Sequence, residues 1–249
     1  MRRVARVVLH SDYTLSRAGR VLLLYSLLIA ALLVLYTFSQ EFILLAIFIH
    51  AMTVGFVYAA GPASYLADEL AEGRAQLYLA AGLRRLEYLA SWMLSLIVFP
   101  TVAMLAAIVL PILVIQPGAL TKPMTGDVPG LMTHLEMAAI FASTSLLAGA
   151  VSLLAALATK RRGATGIIVA TYTIVAPFTA MIVMSFISPT IDRIAGTLAQ
   201  VLSLFNPVMA VSLGAATGRA GLAALLRGPL AASTVFVALS ILLSRRLEF

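Results

Sequence analysis

The residues able to do chemistry in this chain are few, and their densest run is ADELAEGRAQLYLAAGLRRLEYLASW over 67–92. Asp68, Glu69, Glu72, Arg74, Arg84, Arg85 and Glu87 stand there among leucines and alanines, between two long apolar runs. Charges spread in this way along a helix-forming loop suit docking rather than catalysis. Elsewhere the reactive types are isolated. His10, His50 and His134 lack the H-E-x-x-H spacing that sets two imidazoles on one helical face around a metal. A serine nucleophile at Ser143 or Ser145 needs a base on a later segment, and no histidine follows His134. The chain has no cysteine, which excludes disulfides, thiolate metal sites and thiol nucleophiles. We therefore expect no enzyme, no metal site and no cofactor held by this chain.

The elements that position these groups are membrane-length helices. Of 249 residues, 62% are hydrophobic and only 11% charged, and the mean hydropathy is +1.05. Soluble domains carry roughly one quarter charged residues, so this is the composition of an integral membrane protein. A net charge of +7 raises the question of nucleic acid. The basic residues flank apolar runs instead of forming a stripe between aromatics, which argues against that partner. A helix needs about 20 apolar residues to cross the hydrocarbon. Six stretches qualify: 21–38, 42–66, 88–115, 135–159, 164–187 and 228–243, the last being the shortest. A seventh, 198–216, holds Asn206-Pro207 and several glycines and reads as part of a re-entrant region over 198–227. Pro100, Pro111 and Pro177 fall within spans and should kink or locally unwind them.

Orientation follows from the basic residues. With the N-terminus inside, the cytoplasm receives Arg2, Arg3, Arg6, Arg17, Arg20, Arg74, Arg84, Arg85, Lys160, Arg161, Arg162, Arg245 and Arg246. The outer side keeps Lys122, Arg193, Arg219 and Arg227. The expectation is an all-α, single-domain, multi-pass protein of the cell membrane over 1–249, with both termini cytoplasmic and residues 1–20 as an interfacial segment.

Between Leu66 and Gly82, Leu66, Leu70, Leu77 and Ala81 recur at helical spacing with Gly73 on the same stripe, and Asp68, Glu69, Glu72, Arg74 and Gln76 take the remaining surface. This predicts one amphipathic helix, stopped at Gly82 and followed by Arg84 and Arg85 at the start of the third span. His50 falls inside the second span, where a polar group is costly; it either lines a substrate path or bonds a neighbouring helix, the plainer reading. Ser143-Thr144-Ser145 and Gly149 form a small-residue face suited to close packing, with a polar path as the alternative. His10, Tyr25, Tyr36, Tyr65, Tyr88 and Trp92 read as interfacial residues.

The run Glu69-Leu-Ala-Glu72-Gly73, then Leu77-Tyr78-Leu79, then Gly82-Leu-Arg84-Arg85, resembles the coupling helix of ABC-2-type transporter permeases. The six-span layout, the Lys160-Arg161-Arg162-Gly163 turn and Leu204-Phe205-Asn206-Pro207 extend the resemblance over nearly the whole chain. The same turn after a small-residue-rich fourth span is also similar to haem-exporter B-type permeases. The resemblance implies an exporter's membrane subunit, paired with a second permease copy or paralogue and driven by two ATP-binding subunits carrying ATP and magnesium. Residues 67–85 would form the coupling helix, with Glu69, Leu70, Glu72, Gly73, Leu77, Gly82, Arg84 and Arg85 docking the ATPase. His50, Ser143, Ser145 and Asn206 would be candidates for the translocation path. The only lysines, Lys122 and Lys160, do not complete G-x-x-x-x-G-K-[ST], so ATP hydrolysis would belong to another chain. A self-contained secondary carrier is the alternative, against which stands the absence of two related halves.

Overall fold

The computed structural model describes residues 61–115, 134–175 and 222–246, together with His10, Leu15, Ser16, Arg20, Leu24, Thr53, Val54, Val57 and Tyr58. Among the described residues there is helix and no strand. The predicted spans 21–38 and 198–216, and the residues His50 and Asn206, lie outside them, apart from the single helical residue Leu24.

The first three helices are short and sit at one end of the bundle. α1 (Pro62–Ala71) opens on Pro62, whose missing N–H costs nothing in a first turn. α2 (Arg74–Ala80) follows a two-residue break, and α3 (Arg85–Met93) begins after Leu83 and Arg84. A π-helical turn, Leu94–Val98, joins α3 to α4 (Phe99–Ile115), so the predicted third span is one helical run from Arg85. The expected disturbance near Pro100 takes the form of this π turn. At Pro111 the helix simply continues.

α5 (His134–Thr159) is the central helix, packed on α1, α4, the π turn, α6 (Arg162–Ala170) and α7 (Leu222–Arg246). Its alanines, serines and Gly149 let neighbours approach closely. A second π turn, Thr171–Val175, continues α6. The last helix begins at Leu222, inside the predicted re-entrant region, and runs through Pro229. Its membrane-length apolar part, Gly228–Arg245, is the shortest of the candidate spans among the described residues, as the sequence predicts for 228–243.

Three helices among the described residues are long and apolar enough to cross a membrane: Arg85–Leu110, Ala138–Thr159 and Gly228–Arg245. In the most apolar stretch of each, 89% of α5 is buried against 35% and 28% for the other two, which places α5 at the core and its partners outside. The outward faces carry large apolar side chains. Leu94, Val98, Val102 and Leu110 are exposed along the third run, and Leu230, Val235, Leu239 and Leu242 along α7.

Candidate functional site: the charged end of the bundle

The loop 67–85 is two helices, not the single amphipathic helix that its periodicity predicts. α1 closes with the Glu72 N–H on the Asp68 carbonyl, and Gly73 then takes the left-handed conformation at φ +71°. A side chain there would be strained although its Cβ would make only ordinary contact with the Gln76 side chain. Glycine at that position is what lets α2 turn away from α1. At the other end of α2, the N–H of Gly82 reaches the Leu79 carbonyl and that of Leu83 reaches Tyr78, with Gly82 at φ +94°. This is a Schellman ending, completed by the burial of Leu83. The helix stop expected at Gly82 is in place. α3 is then capped by the Glu87 carboxylate, which accepts from the Arg84 N–H at 2.8 Å.

Between its two left-handed glycines α2 presents an apolar surface outward. Leu77 is 69% exposed, Gln76, Ala80 and Ala81 are exposed beside it, and Leu86 follows at the start of α3. Arg84 and Arg85 border this surface, and Leu70 is partly buried beneath it.

Glu69 is a correction to the sequence reading. It is 1% exposed and cannot meet a partner. Its position three residues after Leu66 puts it on the buried face of α1, where its Oε1 accepts from Trp92 Nε1 at 3.3 Å and lies 3.6 Å from His10 Nε2. The His10 ring meets Tyr78 edge-on at 4.5 Å between centroids and Tyr88 at 5.1 Å. His10, Tyr88 and Trp92, expected at an interface, are therefore interior, at 4%, 3% and 1% exposure. Sequence reasoning missed this cluster because His10 comes from a segment more than fifty residues away. The Leu66-to-Glu69 spacing was the one signal that could have suggested it. The acidic patch expected on the loop is also smaller than it reads. Glu72 pairs with Arg74 at 2.7 Å and Asp68 lies 3.5 Å from Arg162.

The basic turn between α5 and α6 reaches the same end. Lys160 adopts φ +51° and Arg161 is extended, so two residues reverse the chain. The hydroxyls of Thr159 and Thr165 meet at 2.7 Å across the turn. The Arg85 guanidinium donates to the Arg245 carbonyl at 3.1 Å, bringing the end of α7 to the start of α3. The structure thus gathers Glu72, Gly73, Leu77, Gly82, Arg84 and Arg85 with the Lys160–Arg162 turn and Arg245. Exposed ion pairs here contribute little to stability, about 0–1 kcal/mol each. Their placement, all on one end of three apolar helices, is what matters.

Ser143 and Ser145 sit apart from this end, buried in α5. Ser143 Oγ donates to the Ile140 carbonyl at 2.9 Å and Thr144 Oγ1 to the same oxygen, so these two hydroxyls are satisfied within their own helix. Close packing, the plainer of the two readings, is what Gly149 displays. A Cβ there would stand 2.0 Å from the Leu96 carbonyl oxygen. No family model, curated protein or solved structure matches this chain.

Proposed function

We propose that this chain is a multi-pass membrane permease subunit of the ABC-2 type, an exporter half driven by a separate ATP-hydrolysing protein. In this reading six helices span the cell membrane, both termini are cytoplasmic, and the outward faces of α4 and α7 meet lipid. The charged end of the bundle faces the cytosol, following the basic excess of Arg84, Arg85, Lys160, Arg161, Arg162 and Arg245. ATP and magnesium bind the partner, two copies of which serve a pair of permeases.

The observation that carries the proposal is α2: a short helix fixed at both ends by left-handed glycines, presenting Leu77 with Gln76, Ala80 and Ala81 at the bundle's only described charged end. Single exposed leucines are ordinary. Held on a rigid, separately capped helix between two long ones, Leu77 is placed to seat in a cleft and to pass a push into α1 and α3. Glu72, Arg84 and Arg85 border it as charged contacts. Substituting Leu77→Arg should abolish copurification of the ATP-binding subunit in mild detergent while leaving the bundle folded, since Leu77 contributes little to the core. Unchanged copurification would overturn the docking assignment.

A second reading has one observation in its favour. A buried carboxylate beside a histidine, Glu69 and His10, is the kind of group that proton-coupled carriers use. Transport in liposomes driven by a proton gradient, without ATP or any partner chain, would favour that self-contained secondary transporter.

A further inference from the structure

Three residues distant in sequence converge on one backbone oxygen in the middle of the third helical run. In the π turn Leu94–Val98, the Phe99 N–H bonds the Leu94 carbonyl five residues back, passing over Ser95. Pro100 has no N–H, so the Leu96 carbonyl also lacks its ordinary partner four residues on. The Tyr58 hydroxyl, from the segment leading into α1, donates to that carbonyl at 3.0 Å. Gly149 of α5 lies against the same oxygen so closely that no side chain could be added. Tyr58 and Leu96 are both fully buried, so no water stands ready to replace the bond.

The ladder is loosened on both sides of this point. Ser91 Oγ donates to the Glu87 carbonyl, Ser95 Oγ to Ser91 and Thr101 Oγ1 to Ile97. Hydroxyls bonded back to the preceding turn in this way bend helices. Single π turns inside long helices are frequent at functional sites, and sharp kinks fall at such turns. Below the turn, α3 is tied to α1 through Trp92 and Glu69. Above it, α4 exposes Val102, Leu110, Leu113 and Val114.

We propose that Leu94–Val98 is a hinge allowing α4 to tilt against α5, and that the Tyr58 hydroxyl is the latch that holds it in the arrangement seen. Pro100 denies the Leu96 oxygen its usual donor four residues on, Tyr58 bonds it from the neighbouring element, and Gly149 makes the room. The latch is a bond between elements rather than within one, so it can open without unwinding α3 or α4. The inference does not depend on what drives the motion or on the transport reading.

The test uses the full chain in lipid nanodiscs with spin labels at Val114→Cys and Leu135→Cys, introduced into a sequence that has no other cysteine. Tyr58→Phe keeps the ring and removes only the hydroxyl. It should broaden the distance distribution or add a second population, and should speed amide hydrogen exchange around Phe99 and Thr101 by roughly tenfold. Pro100→Ala returns an N–H to the helix. In that background Tyr58→Phe should have little further effect, because the Leu96 carbonyl regains the donor four residues on that Pro100 denies it. Distances and exchange unchanged by Tyr58→Phe would overturn the proposal, as would an equal effect in both backgrounds.

Discussion

A carboxylate that is 1% exposed needs a donor, and Glu69 accepts from the Trp92 indole, with the His10 imidazole 3.6 Å away. Removing one partner of a buried hydrogen bond leaves the other unsatisfied, at about 1–3 kcal/mol. Glu69→Ala should therefore lower thermal stability in detergent clearly, whereas Glu69→Gln, which keeps an oxygen for Trp92, should lie between it and the parent. Equal melting temperatures for Glu69→Ala and the parent would show that the cluster is not structural. At this scale the sequence was a partial guide. Glu72 on the polar surface and the helix stop at Gly82 were legible in the sequence, whereas Leu77, placed on the apolar stripe, is 69% exposed, and Gly73, placed within one helix, divides it. Glu69 was misassigned because its charge outweighed its spacing from Leu66. His10, Tyr78 and Tyr88 meet only through tertiary packing, which no local pattern records.

Among the elements, the short pair α1 and α2 shows where local rules fail. A continuous apolar stripe from Leu66 to Ala81 predicts one helix, yet Gly73 at φ +71° divides it, because left-handed backbone costs glycine nothing. The longer elements were easier to read. The predicted stretches 88–115 and 135–159 appear as helices with bounds within a few residues of Arg85–Ile115 and His134–Thr159, and 228–243 matches the apolar part Gly228–Arg245 of a helix that starts six residues earlier, at Leu222. Pro100 announced a disturbance, but its form needed Tyr58 and Gly149. Two glycines in the α5–α6 hairpin separate packing from conformation. Gly149→Ala places a Cβ against an immovable carbonyl in a close-packed core and should cost about 3 kcal/mol or more. Gly163→Ala meets nothing within 4 Å inside the first turn of α6 and should leave stability unchanged or raise it by up to about 1 kcal/mol. Folded yield and unfolding midpoint of the two variants check both statements, and equal destabilisation would contradict them.

For the whole molecule the decisive feature is polarity along one axis. Among the described residues, apolar side chains face outward from α4 and α7, while α1, α2, α3, α6 and α7 bring charged residues to one end. Composition alone foretold such a division, since a chain with 11% charged residues has too few to cover a soluble surface. Which pole faces the cytosol, and what meets it, rests on the basic excess and on α2. The most direct measurement is photo-crosslinking from position 77 in intact cells, with a photoreactive residue in place of Leu77 and mass spectrometry of the adduct. Our account predicts a crosslink to a chain carrying a nucleotide-binding phosphate loop, lost when Glu72→Arg is added. A residue 77 that crosslinks to no such chain, and that an impermeant reagent reaches from outside the cell, would contradict it.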